Sequence, residues 1–186
     1  MYQTSDIRKG LKIELDGNPF VVVDFQFVKP GKGCAFTRTK LKHLITGAVL
    51  DRTYKTGESL TPADIEEIEM QFLYKGEDYF FMSMEDFDQI PVAAEVLGTA
   101  TNWIIEEMVV KILMFRNRPV SVELPNFVEI QIEYCEPGVR GNTAQGATKP
   151  ATLTTGAIVK VPLFVENGEW LKIDTRTGEY VERVKK

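Results

Sequence analysis

The sequence predicts an all-β protein made of small barrels, on three observations. Short strand-like runs recur between turns marked by Gly, Asn, Asp and Pro, the rhythm of β-barrels and sandwiches. Two junctions interrupt that rhythm, a polar one at residues 55–62 and Pro125-Asn126, and they divide the chain into blocks of about 60 residues. Each block carries four or five strand signals, the number that closes a small barrel.

In the first block, Ile7-Arg8-Lys9-Gly10 precedes a strand at 11–15, and Asp16-Gly17-Asn18-Pro19 marks a turn. Strands at 20–28 and 35–44 form a long hairpin, and Thr46-Gly47 leads into a strand at 48–54, a set that suits an SH3-like barrel. The second block pairs 65–74 with 79–84 around Lys75-Gly76-Glu77-Asp78. It then places a short helix at 103–107, capped by Thr101-Asn102, before a hairpin of 108–115 and 120–124. Its Trp, Phe and Met residues are expected in the core, because the carboxylates around them oppose nucleic acid. The third block has strands at 128–134, 156–161, 170–174 and 179–184, with turns at Asn167-Gly168 and Thr177-Gly178, the spacing of an OB-type barrel. Residues 138–155 read as a long polar loop of the kind that is usually functional or disordered. The expected domains are 1–63, 64–126 and 127–186.

With 186 residues and 44% hydrophobic side chains the chain has material for such cores. No window approaches the roughly 18 apolar residues of a membrane span, and Met1-Tyr2-Gln3-Thr4-Ser5-Asp6 is not the apolar core of a signal peptide. A cytoplasmic monomer that does not engage membranes is expected. Cys34 and Cys135 lie far apart with no metal-type spacing, which suggests reduced thiols.

Charge is distributed unevenly. Residues 1–61 hold 10 basic and 6 acidic side chains, residues 62–126 hold 4 and 13, and residues 127–186 hold 8 and 8. A molecule of net charge −5 with a positive end approaches a polyanion by that end.

The positive end culminates in Lys29-Pro30-Gly31-Lys32-Gly33-Cys34. Glycine reaches φ > 0 freely and Pro30 fixes its own φ, so Lys32 is expected to stand out at a hairpin tip. On the outgoing strand, period-two alternation puts Arg38, Lys40 and Lys42 on one face and Thr37, Thr39 and Leu41 on the other. Five Lys or Arg and no carboxylate lie between Lys29 and His43.

Catalytic chemistry is hard to assemble from this chain. His43 is the one histidine and reads as inward-facing, the tip has neither the spacing nor the helix of a P-loop, and carboxylate pairs are inevitable in an acidic block. A Schiff-base lysine needs a desolvated pocket, the opposite of an exposed tip. No catalytic residue, metal or cofactor is expected, and the chain reads as a binding protein and not an enzyme.

Over essentially its full length the chain resembles the bacterial elongation factor P family. The residues that carry this are Lys29-Pro30-Gly31-Lys32-Gly33, Ala35-Phe36-Thr37-Arg38-Thr39-Lys40-Leu41 and Pro125-Asn126-Phe127-Val128-Glu129. The third block adds Gly141-Asn142-Thr143-Ala144, Lys149-Pro150-Ala151-Thr152-Leu153, Thr155-Gly156-Ala157, Val161-Pro162-Leu163-Phe164-Val165 and Asp174-Thr175-Arg176-Thr177-Gly178-Glu179-Tyr180. The resemblance implies an SH3-like (KOW-type) domain and two OB-folds arranged like the arms of an L-shaped tRNA. It implies a factor that contacts both ribosomal subunits between the peptidyl-tRNA and exit sites and relieves stalling at consecutive prolines. Lys32 matches the position that lysine-modifying enzymes extend, often with a β-lysyl group. Pro30, Gly31, Gly33, Arg38 and Lys40 match the loop and strand beside the peptidyl-tRNA. Gly141, Asn142, Thr143 and Ala144 match the segment toward the exit-site mRNA codon, with Asn142 where many members have Asp. Tyr180 and Arg183 match the closing segment near the small subunit. Three other readings are a related paralogue, disfavoured by Lys32 because its tip carries Arg, an RNA-binding adaptor of SH3 and OB modules that acts without the ribosome, and an enzyme using Lys32.

Overall fold

A computed structural model of the chain describes residues 1–138 and 146–186. The first sheet contains β1 (Tyr2–Gln3), β2 (Lys12–Leu15), β3 (Asn18–Val28), β4 (Phe36–His43), β5 (Val49–Lys55) and β6 (Ser59–Pro62), in the order β1-β6-β2-β3-β4-β5. The second contains β7 (Ile65–Lys75), β8 (Tyr79–Ser83), β9 (Gln89–Val92), β10 (Val109–Phe115) and β11 (Arg118–Glu123), ordered β11-β10-β7-β8-β9. The third contains β12 (Phe127–Cys135), β13 (Thr148–Leu153), β14 (Ile158–Pro162), β15 (Trp170–Asp174) and β16 (Glu179–Val184), ordered β14-β13-β12-β15-β16. The protein is mostly β, as its sequence predicts, and contacts divide it into two compact units.

One unit comprises residues 1–68 and 112–121. Its main core is Ile7, Leu11, Ile13, Phe20, Val22, Leu41, Tyr54 and Leu60, and a fully buried aliphatic such as Ile13 or Leu41 contributes about 1.5–3 kcal/mol relative to exposure. A second cluster of Leu113, Phe115 and Val120 packs with Leu44 and Ile65. Ion pairs join Arg116 to Glu14, at 3.2 Å, and Lys12 to Glu67. His43 meets the Phe20 ring edge-on at 4.7 Å, and its Nδ1 accepts the N–H groups of Ile45 and Thr46, so it closes the turn after β4.

A bulge shapes the long hairpin. Val22 pairs with Leu41 and Asp24 with Lys40, which leaves Val23 as the extra residue and shifts the phase of everything beyond it. Phe25 and Phe27 therefore follow Val22 onto the face of Leu41, Thr39 and Thr37, while Asp24 and Gln26 join the face of Lys40 and Arg38.

The other unit comprises residues 69–111 and 122–186. Phe72, Tyr79 and Phe81 pack through ring contacts of 5.3–5.7 Å. Val128, Ile130, Ile132, Ala151, Leu153, Val159, Val161, Leu171 and Ile173 fill the barrel of the third sheet, and Trp103 packs into the same core. Thr155 Oγ1 donates to Asn102 O at 2.7 Å and Thr175 Oγ1 donates to Pro125 O at 2.6 Å.

Three sequence expectations are corrected. The helix expected at 103–107 is a turn; helical backbone instead occupies Ala94–Leu97 and a 3-10 segment at Gly98–Asn102. Thr101 does not cap a following helix, because its hydroxyl donates back to Gly98 O at 3.0 Å, and Trp103 and Ile104 are both buried. The polar stretch 55–62 contains β6, which pairs with both β1 and β2. The loop expected at 138–155 contains β13, whose Lys149, Ala151 and Leu153 face the core. A lysine at an inward position and a proline beside it hide that alternation.

Candidate functional site

The hairpin of β3 and β4 closes at the pair Val28↔Phe36, leaving residues 29–35 as the connecting loop. Lys29, Gly31, Lys32, Gly33 and Cys34 are exposed and Pro30 is half-buried. Gly33 has φ of 111°, a conformation that side chains resist, whereas a Cβ at Gly31 meets nothing within 4 Å. The outgoing limb is tied down by Thr56, whose N–H and hydroxyl both donate to Ala35 O, at 3.0 and 2.8 Å. Among the described residues Lys32 has no hydrogen-bond or ion-pair partner. The loop thus presents two ammonium groups, those of Lys29 and Lys32, from an anchored stem, with the exposed Cys34 thiol in the same loop.

Below the tip, β4 alternates as the sequence requires. Arg38, Lys40 and Lys42 are exposed, while Thr37, Thr39 and Leu41 are buried. The hydroxyl of Thr39 donates to Arg52 O at 2.8 Å, which satisfies a polar group on the inner face. The exposed ladder is not uniform. Lys40 sits between Asp24 of β3 and Asp51 of β5, cross-strand neighbours on one face. Lys9, with its ammonium 3.1 Å from Asp24, holds that carboxyl below its usual range, and the Phe25 N–H and the Lys40 charge add to the effect. Arg38 lies between Gln26 and Thr53, with no carboxylate beside it in the sheet, and its guanidinium stands 5.5 Å from the centre of the Phe36 ring.

On the opposite face, Phe25, Phe27, Ile7, Ala35 and the stem of Lys29 line a groove of about 570 Å³. Sequence reading missed this groove and Asp24 beside Lys40, since both depend on the bulge at Val23, and it missed Asp51, which the pairing of β5 with β4 brings to the other side of Lys40.

The remaining site residues lie apart from the tip along the chain. Gly141, Asn142, Thr143 and Ala144 lie outside the described residues. Tyr180 packs partly against the barrel core of the third sheet. Arg183 is engaged within its own barrel, 2.9 Å from Glu169 and with its guanidinium 4.7 Å from the centre of the Phe164 ring. Cys34 is exposed and Cys135 buried, both as free thiols. Among the described residues no group of three His, Cys, Asp or Glu side chains is placed to hold a metal, and no helix is long and apolar enough to cross a membrane.

Three family descriptions match the chain in order. The elongation factor P KOW-like domain matches residues 3–60, the elongation factor P OB domain residues 65–122, and the elongation factor P C-terminal domain residues 128–183. The chain is 54% identical over 185 residues to elongation factor P of Clostridium botulinum (strain Eklund 17B / Type B), covering 99% of this chain and 100% of that protein. It is 50% identical over 185 residues, with the same coverage, to elongation factor P of Pelotomaculum thermopropionicum (strain DSM 13744 / JCM 10971 / SI). A solved structure of eukaryotic translation initiation factor 5A from Methanococcus jannaschii overlays with a TM-score of 0.48 at 19% identity, covering 65% of this chain and 94% of that one.

Proposed function

The chain belongs to the elongation factor P family of translation elongation factors, and from that premise we propose that it relieves ribosomes stalled at consecutive prolines by steadying the peptidyl-tRNA acceptor end with Lys32. The observation that carries this reading is the presentation of Lys32, exposed and without a partner among the described residues, on a loop anchored through Thr56. In this reading the protein enters the cytoplasmic ribosome between the peptidyl-tRNA and exit sites. Lys32, extended by a modifying enzyme with a β-lysyl-type group, reaches the tRNA end. Arg38 and, more weakly, Lys40 face its phosphates, and residues 141–144 approach the exit-site codon on the small subunit.

Physical chemistry supports a positioning role. Proline is a secondary amine whose ring fixes φ, so bond formation to it is sensitive to how the reacting groups are held. Holding the tRNA end in an attack-ready geometry lowers the entropic part of the barrier, and well-oriented intramolecular reactions gain up to about 7–11 kcal/mol in this way. The factor donates no chemical group, and the ribosome performs the chemistry.

The test is a consecutive-proline translation reporter in cells lacking the chromosomal copy. Lys32→Ala is expected to abolish rescue while melting as the wild type does. Wild-type rescue by Lys32→Ala contradicts the reading, and ribosome-independent turnover of a small substrate points to an enzyme instead.

A further inference from the structure

Two aromatic rings are left uncovered on the stem of the hairpin formed by β3 and β4. The bulge at Val23 carries Phe25 and Phe27 onto the inward face, in line with Val22 and Leu41, but on these two strands the core ends at Val22 and Leu41 and the hairpin runs on past it. Phe25 is 39% and Phe27 59% exposed. A lone exposed ring is ordinary on a protein surface. These two follow one another along one strand face and line a groove of about 570 Å³, within the roughly 300–1,000 Å³ of pockets that take a small ligand.

The groove also contains a hydrogen-bonding group with nothing to bind. Thr37, directly opposite Phe27 in the register and 4% exposed, lines it, and its hydroxyl has no hydrogen-bond partner among the described residues. Buried hydroxyls are normally satisfied, as that of Thr39 is by Arg52 O. Lys29, the next lining residue along the chain toward the tip, supplies an ammonium, and no carboxylate is among the described residues that line the groove. Such a lining suits an occupant with a flat apolar face, a hydrogen-bonding edge and an adjoining negative charge. A nucleobase with its phosphate has all three, whereas an apolar peptide side chain offers nothing to the hydroxyl or the ammonium. The surroundings favour the same choice, because five Lys or Arg and no carboxylate lie between Lys29 and His43 and draw a polyanion to this hairpin.

We propose that this groove is a stacking site for an unpaired base of an RNA strand. The base lies against Phe27 and Phe25, the Thr37 hydroxyl bonds its edge, and Lys29 meets the adjoining phosphate. Proteins commonly read single-stranded RNA in this way, by taking splayed bases onto aromatic rings. The site lies on the stem, beyond the role proposed for Lys32, and its test needs neither the tip nor the ribosome.

The test is NMR of the full chain with labelled phenylalanine rings, titrated with a short single-stranded oligoadenylate. Ring-current shifts are expected at Phe25 and Phe27, with intermolecular NOEs from adenine protons to both rings. Phe27→Leu, which keeps an apolar side chain and removes the ring, is expected to weaken binding about fivefold or more, and Phe27→Trp to keep it. Thr37→Val, which keeps the shape and removes the hydroxyl, is expected to weaken it by about two- to tenfold. No shift at either ring overturns the inference, as does full affinity in Phe27→Leu. Inorganic polyphosphate that shifts the two rings as strongly would reduce the contact to charge alone and overturn it as well. Shifts with an apolar peptide and none with the oligoadenylate would overturn it in favour of a protein partner. Should a variant fail to fold, the NOEs in the wild type decide. If they are found and Lys32→Ala still rescues the reporter, the role of the tip falls and that of the groove stands.

Discussion

Of the two glycines beside Lys32, Gly33 holds a backbone conformation that a side chain resists, while a Cβ at Gly31 points into open space. Their substitutions should therefore separate fold from function. Gly31→Ala is expected to melt within about 0.5 kcal/mol of the wild type, as surface changes usually do. Gly33→Ala is expected to cost about 1–3 kcal/mol. Thermal unfolding checks both, and equal melting of the two variants contradicts the argument. Asp174 offers a second test at this scale. Two hydrogen bonds from the Arg176 guanidinium, at 2.7 and 3.0 Å, its backbone N–H and its charge lower the carboxyl pKa from 3.8 to about 2. A folded-state pKa below the unfolded value stabilises the native protein above that unfolded value, and the contribution is lost as pH falls from near 4 through about 2. Carboxyl NMR titration is expected to place Asp174 near 2 and to move it up toward 3.8 in Arg176→Ala. A midpoint that the substitution leaves in place contradicts the assignment.

The hairpin of β3 and β4 shows what an element adds to its residues. The period of two in β4 is visible in sequence, so the shared face of Arg38, Lys40 and Lys42 was legible there. Their inequality was not. It arises because the bulge at Val23 moves Asp24 beside Lys40, and because β5 delivers Asp51 from the other side. A cation already flanked by carboxylates releases fewer counterions when it meets a phosphate. Arg38→Gln is accordingly expected to reduce the salt dependence of ribosome binding by about one unit of slope, and Lys40→Gln by clearly less. Binding measured across a salt series decides, and equal losses from the two substitutions contradict the inequality. Trp103 teaches the same lesson from the other unit. Thr101-Asn102 ahead of an apolar run looks like a helix start, but burial of the indole against the barrel core and Gly178 outweighs that local preference.

Across the whole molecule, the features legible in sequence are those written locally. Pro30 and Gly33 around Lys32 announce the tip, and the strand and turn rhythm announces the all-β architecture. Features that depend on partners distant in sequence were hidden. β6 is read as a connection until β1 and β2 supply its neighbours, and β13 is concealed by a lysine at an inward position, where its ammonium donates to Glu136 O. The central claim is that an exposed lysine speeds bond formation by positioning and contributes nothing to the fold. Single-turnover formation of a proline–proline bond on purified ribosomes, at saturating factor, tests it most directly. The account predicts that Lys32→Ala lowers the rate to that of ribosomes without the factor, while its unfolding free energy stays within about 0.5 kcal/mol of the wild type. A Lys32→Ala protein that accelerates the bond as the wild type does would contradict it.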